Sequence, residues 1–323
     1  PPTSTLGWIV MAISSESWLT KSRNFWRISR IGLWQLMSKQ LNSISGFSSL
    51  LTNVGQMRNT GVELEVRSNN IKTKDFSWTT AFNLSHNKNK ILKLADLPWF
   101  VDGRYVRKEG YPFNTIYLRE YAGVDPETGS ALYYDNQQDE NGNYTKNKVT
   151  DPGQASPIPL KDITPTISGG FMNTFNYKFI DLSFNLSYSF GGYSYDNASY
   201  ILQDDGYSVI SNKSTEQRRR WQKPGDITDV PRFVYGNKKG GNYNSSRAIH
   251  STDHIRLKSL ILGLNAPKAW LQKLGIGNAR IYFSGTNLLT WAAYAQYDPE
   301  MSGVVGFYTP PLKTYAFGLE LKF

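Results

Sequence analysis

The segment TYAFGLELKF, Thr314 to Phe323, alternates without a break. Tyr315, Phe317, Leu319, Leu321 and Phe323 are apolar, while Ala316, Gly318, Glu320 and Lys322 are small or charged. A period of two sends successive side chains to opposite faces of a β-strand. The segment therefore reads as a strand with one apolar and one polar face.

Working outward, the same period recurs. In DLSFNLSYSF, 181–190, Leu182, Phe184, Leu186, Tyr188 and Phe190 share a face opposite Ser183, Asn185, Ser187 and Ser189. In GVELEVR, 61–67, Val62, Leu64 and Val66 oppose Glu63, Glu65 and Arg67. In FSWTTAFNLS, 76–85, Trp78, Phe82 and Leu84 oppose Thr79, Asn83 and Ser85. Weaker alternation marks 166–177, 254–265 and 279–289, which makes seven strands of about ten residues.

The connections sort by length. Those near 69–75, 178–179 and 267–278 are short, whereas 88–165, 191–253 and 291–313 are long, polar and rich in aromatic residues. Alternation alone describes a half-buried soluble sheet equally well. Strands of this length with short links at one end and long links at the other describe an outer-membrane β-barrel. Glu63, Glu65, Glu320 and Lys322 then face a wet lumen and their neighbours face lipid. The expected fold is all-β, an antiparallel transmembrane barrel segment, incomplete as given because bacterial barrels start at eight strands.

Composition fits this reading. The chain has 323 residues, 14% aromatic and 39% hydrophobic, with no cysteine, which excludes disulfides and thiolate metal sites. Mean hydropathy is −0.46, and no run approaches eighteen apolar residues. The net charge of +10 raises nucleic acid as a partner, but the positives are scattered and the one dense run, Arg218-Arg219-Arg220-Trp221, lies in a polar loop. No nucleic-acid partner is expected.

Residues 1–44 stand apart. They hold Trp8, Trp18, Trp26 and Trp34, a single acid, Glu16, and no clean alternation. An amphipathic helix is one reading; translation out of frame, with a frameshift near 40, is the other. The start at Pro1-Pro2, with neither an initiator Met nor a signal peptide, suggests a fragment.

Little in the chain suggests covalent chemistry, and neither an enzyme nor a cofactor is expected. His86, His250 and His254 are the only histidines. His250 and His254 have helical metal-pair spacing but enter a strand, where side chains four apart diverge, so they read as solvated strand-end residues. DNQQDENG, 135–142, alternates acids in the manner of a calcium loop, yet Glu140 stands where a glycine is required, so a polar hairpin is expected. Asp125-Pro126-Glu127-Thr128-Gly129 reads as a turn, with Asp capping, Pro presetting φ and Gly taking positive φ.

Longer stretches carry a family likeness. SGFSSLLTNVGQMRNTGVELEV (45–66), EGYPFNTIYLREYAGVDPETGSALYYD (109–135), ISGGFMNTFNYKFIDLSFNLSYSFG (167–191) and FSGTNLLTWAAYAQYDPE (283–300) resemble SusC/RagA-type TonB-dependent outer-membrane transporters, in the family's order over roughly 45–323. The resemblance implies the C-terminal part of a plugged barrel of about 22 strands in the outer membrane of a Gram-negative bacterium. It implies import of oligosaccharides, in some members peptides. It also implies a SusD-like surface lipoprotein, and a TonB complex engaged through a missing N-terminal region. Tyr315, Phe317, Leu319, Leu321 and Phe323 then form a C-terminal signal that resembles the one read by barrel-assembly machinery. A soluble all-β carbohydrate-binding or adhesin module is the alternative.

Sugar rings present flat C–H faces to aromatic rings and hydroxyls to planar polar groups. Within the long loops, Trp99, Tyr105, Trp221, Tyr235, Tyr243 and Tyr308, with Asn237, Asn242 and Asn244, are the candidate ligand contacts. Girdle and loop packing would use the same residue types.

Overall fold

A computed structural model describes residues 7–13, 16–17, 20–21, 23–40, 49–95, 97–237, 244–273 and 275–323, with side chains from Gly55 onward except at 268, 272 and 273. Its main element is an antiparallel sheet of nine strands. From one edge to the other they are Gly7–Ile13, Arg23–Gln40, Ser49–Lys72, Phe76–Leu94, Ile167–Tyr177, Ile180–Phe190, His254–Asn265, Asn278–Ala292 and Thr314–Lys322. The seven strands marked by alternation are all present and are consecutive neighbours. Two more, Gly7–Ile13 and Arg23–Gln40, continue the sheet by pairing in sequence onto Ser49–Lys72. The backbone of 23–40 is thus a strand, not a helix. The two edge strands do not pair with each other among the described residues, so the sheet is open.

Register sorts the side chains. Phe171 pairs with Phe82 on one side and Leu186 on the other; Leu182 pairs with Phe175 and Leu262; Leu262 pairs with Phe283, which pairs with Phe317. Directly paired residues share a face, so one apolar surface runs across the sheet. It is uncovered: Phe317 is 83% and Leu319 63% exposed. The opposite face holds Asn83, Ser183, Asn185, Asp181 and Arg280, with Arg280 ion-paired to Asp181 at 2.7 Å and to Glu320 at 3.5 Å. From Tyr177 to Ile167, at about 3.3 Å per residue and a tilt near 40°, the apolar band stands about 25 Å high. Aromatic rows bound it, with Phe76, Trp78 and Tyr177 at one end and Tyr188, Phe190 and Trp291 at the other.

Short links close one end. Lys178 and Phe179 alone join two strands, with Lys178 at φ 52°. The link between 265 and 278 is compacted by a short helix, Lys268–Lys273. Partway up, Lys258 and the pair Asn287-Leu288 are skipped by the register, and Asn287 takes φ 53°, a bulge that kinks the two strands together.

The described parts of the three long links fold into a layer over the other end. A four-stranded sheet, in the order Ile158–Asp162, Thr115–Leu118, Tyr105–Lys108, Trp99–Asp102, comes from the first link. So does a three-stranded sheet of Tyr121–Val124, Ala131–Tyr134 and Lys148–Val149. A third sheet joins the second and third links, with Tyr193–Asp196 antiparallel to Ile249–Ser251 and parallel to Gly303–Val305. Ile116, Leu118, Tyr195 and Ala248 form the layer's buried apolar centre.

Candidate functional site

Two hollows of the outer layer are lined by described residues. The first, of about 460 Å³, lies where the Trp99–Asp102 and Thr115–Leu118 strands meet the 135–147 hairpin. Trp99 and Tyr117 stand with ring centroids 6.1 Å apart at 51°, and Tyr144, Gln137, Gln138 and Ser156 complete the wall. The Gln137 side-chain amide donates to the Ser156 hydroxyl at 3.1 Å. Asp139 shapes the hairpin, its carboxylate accepting the Asn141 and Asn143 amides at 2.9 and 2.8 Å. The lining holds aromatic faces, amides and a hydroxyl, with one cation, Lys108, and no carboxylate among the described residues. Such a surface can stack on a ring and share hydrogen bonds with hydroxyl or amide groups.

The second hollow, of about 600 Å³, lies between the polar side of the sheet and the third link, bordered by Tyr297, Phe307, Tyr308, Pro310, Lys313 and Arg256. Arg256 is buried and clamped, donating to Asp298, Glu300 and Thr290 at 2.8, 2.8 and 3.0 Å. The sequence Asp298-Pro299-Glu300 thus acts as a two-pronged clasp on the neighbouring strand, and Glu300 also holds Lys258 at 2.6 Å. Asp196 caps its helix by accepting the Ser199 amide at 2.9 Å and takes the Tyr294 hydroxyl at 3.0 Å. Tyr297 and Ser194 hydrogen-bond through their hydroxyls.

The histidine reading needs correction. His254 is buried, its Nδ1 2.8 Å from the Thr252 carbonyl, and His250 stacks flat on Tyr294 with centroids 3.7 Å apart. Neither is a solvated strand end, because the outer layer folds down over both. Burial pushes the His250 imidazole below its ordinary 6.5, against a smaller upward pull from Asp196. The unfolded chain then takes up the proton first, so this contribution to stability is full above about pH 6.5 and declines as pH falls below it. Hydrogen exchange of the outer layer between pH 8 and pH 5 should show that decline, and His250→Gln should flatten it. An unchanged slope in the variant would place the pH dependence elsewhere.

The sequence candidates are dispersed. Trp99 lines the first hollow and Tyr308 the second. Tyr105 packs beside the Ile116–Tyr195 centre with the Arg107 guanidinium 5.3 Å from its ring, and burial raises its phenol pKa. Trp221 lies on the Asp125–Gly129 turn, its indole N–H donating to the Pro126 carbonyl at 2.8 Å. Gly129, at φ 67°, leaves the space its ring occupies, since a Cβ there would meet the ring at 2.4 Å. Tyr235 is 78% exposed; the Asn237 amide closes a turn on the Val234 carbonyl; Asn244 accepts the Tyr195 hydroxyl at 2.7 Å. Asn242 and Tyr243 lie outside the described residues. Tyr315, Phe317, Leu319 and Leu321 lie on the apolar face, and Phe323 follows their strand. Tyr117, Gln137 and Gln138 join Trp99 at the first hollow, and the two neighbouring amides of the DNQQDENG hairpin are the available sequence signal for Gln137 and Gln138.

No protein-family model matches the chain. Among curated proteins, TonB-dependent receptor P3 of Formosa agariphila is 32% identical over 319 residues, which cover 89% of this chain and 31% of that protein. TonB-dependent receptor SusC of Bacteroides thetaiotaomicron is 27% identical over 318 residues, covering 90% of this chain and 30% of SusC. The chain spans about a third of the length of these relatives. Among solved structures, the RagAB peptide transporter superposes with a TM-score of 0.80 at 26% identity, covering 98% of this chain and 39% of that one. With its open, two-faced sheet and layered loops, the chain belongs to the SusC/RagA-type TonB-dependent receptors.

Proposed function

We propose that this chain forms part of the wall and outer face of an outer-membrane importer of oligosaccharides. The observation that carries the transport reading is the sheet itself, with an uncovered apolar face about 25 Å high and a polar face lined by ion pairs. On this reading the apolar side meets lipid, the polar side faces the lumen, and the outer layer faces the medium. Capture by a SusD-like surface lipoprotein and energy from a TonB complex belong to the same proposal. The protein moves its ligand by binding and passage, without covalent chemistry.

The first hollow supports a sugar ligand. A pyranose stacked on Trp99 or Tyr117 leaves its hydroxyls to Gln137, Gln138 and Ser156. A second reading, peptide import, is favoured by the likeness to the RagAB peptide transporter. Uptake of labelled oligosaccharides and of labelled peptides by cells carrying the intact transporter separates the two. Trp99→Ala should lower oligosaccharide uptake about tenfold, the loss of one stacked ring at ~1.4 kcal/mol. Peptide uptake that depends on the transporter, with no oligosaccharide uptake, would favour the second reading.

A further inference from the structure

The strands Ser49–Lys72 and Phe76–Leu94, with Arg23–Gln40 beside them, run past the rim at which Ile167–Tyr177 stops. His86 pairs with Ile167, which pairs with Phe190, so His86 marks the top of the apolar band. Beyond it the outward face changes character. Lys88 is opposite Thr60 and Lys90 opposite Arg58. A bulge at Leu92 then turns Lys93 to the same face, opposite Gln56. Lys88, Lys90 and Lys93 are exposed and Arg58 half-buried. None of the four has an ion-pair partner among the described residues.

The inward face of the same stretch is different. Asn59, Asn87, Asn89 and Ile91 point that way, and the Asn89 side chain bonds Asn59 and accepts the Phe113 amide of the outer layer. Glu63 and Glu65 also lie on the inward face, and Glu109, from the first link, is engaged by the Leu94 amide at 2.8 Å. Charge is therefore segregated on these two strands: cations outward, neutral amides inward, and no acid among their outward positions above the rim. At 3.3 Å per residue and a tilt near 40°, Lys88, Lys90 and Lys93 stand about 5, 10 and 15 Å above the rim.

We infer that Arg58, Lys88, Lys90 and Lys93 form a binding surface for the phosphate-bearing headgroups of lipids in the surrounding leaflet. Apolar band and cationic ridge are continuous on one face, and so complement a lipid whose acyl chains and phosphates are stacked in the same order. Four cations with no ion-pair partner among the described residues, within reach of one another, suit a polyanionic headgroup better than a single charge. The inference rests on the outer-membrane reading above.

The test uses the intact transporter in detergent, with diphosphoryl lipid A as probe and its dephosphorylated form as control. The wild type should bind the diphosphorylated lipid, and Lys88→Gln/Lys90→Gln/Lys93→Gln should weaken that binding by about a hundredfold. Raising salt from about 50 to 300 mM should weaken wild-type binding severalfold. Equal binding of the phosphate-free lipid, or a triple variant indistinguishable from wild type, would overturn the inference. So would displacement by millimolar inorganic phosphate, which would make the occupant a soluble anion. A wild-type protein without the heat-dependent gel shift of a closed barrel would overturn the membrane reading and this inference together.

Discussion

Replacing Arg247 by alanine should destabilise the outer layer by about 3–5 kcal/mol, because it strands a fully buried carboxylate. Asp205 has a side-chain exposure of 0%, and its neutralising partner is Arg247, whose second guanidinium nitrogen donates to Oδ1 at 3.2 Å. Gln217 adds a hydrogen bond at 2.9 Å, and the Tyr121 ring lies 5.6 Å from the guanidinium carbon. The pair ties together residues 42 apart in sequence, so its loss should loosen the second link as a unit. Hydrogen exchange in the intact transporter should show amides near 204–217 and 245–248 losing protection while the main sheet keeps its own. Arg247→Met/Asp205→Asn should recover most of the loss, since it removes both charges, and asparagine accepts the φ of 52° held by Asp205. A single variant as protected as the wild type, or a double variant no better than the single, would show that the pair does not hold the layer.

A one-residue shift along Ile180–Phe190 should decide whether an introduced arginine blocks insertion. Leu186 pairs with Phe171 and Leu257 on the apolar face; Asn185 pairs with Met172 and Ser259 on the polar face. Leu186→Arg places a charge near the middle of the bilayer and should cost about 2–4 kcal/mol. Asn185→Arg faces the lumen and should cost far less. Outer-membrane abundance of the intact transporter, with the heat-dependent gel shift as the sign of a folded barrel, reads both. Equal tolerance of the two arginines would mean that the apolar face is not against lipid.

Much of the main sheet was legible because a membrane-spanning strand must repeat one simple pattern for its whole length. Leu182 through Phe190 could not lie otherwise without exposing their polar neighbours to lipid. The outer layer was not legible, because its strands run from two to five residues, too short for a period to declare itself. Its order comes from distant pairings instead, such as Trp221 on Gly129 or Asp298 and Glu300 on Arg256. Of the candidate ligand residues, aromatic character and loop position marked Trp99 and Tyr308, which do line hollows. The same criteria marked Tyr105 and Trp221, whose rings hold the layer together. Ring chemistry is identical in both roles, and only burial distinguishes them. Arg23–Gln40 shows the opposite case, where pairing with an already formed strand supplies order that the local pattern does not announce.

The sheet that joins the second and third links has a mechanical corollary. Gly303–Val305 lies in parallel register beside Tyr193–Asp196, and hydroxyl contacts from Tyr297 to Ser194 and from Tyr294 to Asp196 reinforce the seam. These two links should therefore travel as one plate, so that a pull on either is delivered to both. The hinges of that plate should lie at its anchor points on the barrel rim, near 190–192, 252–254 and 292–293, where Asp253 bonds Gly191 and accepts Ala293.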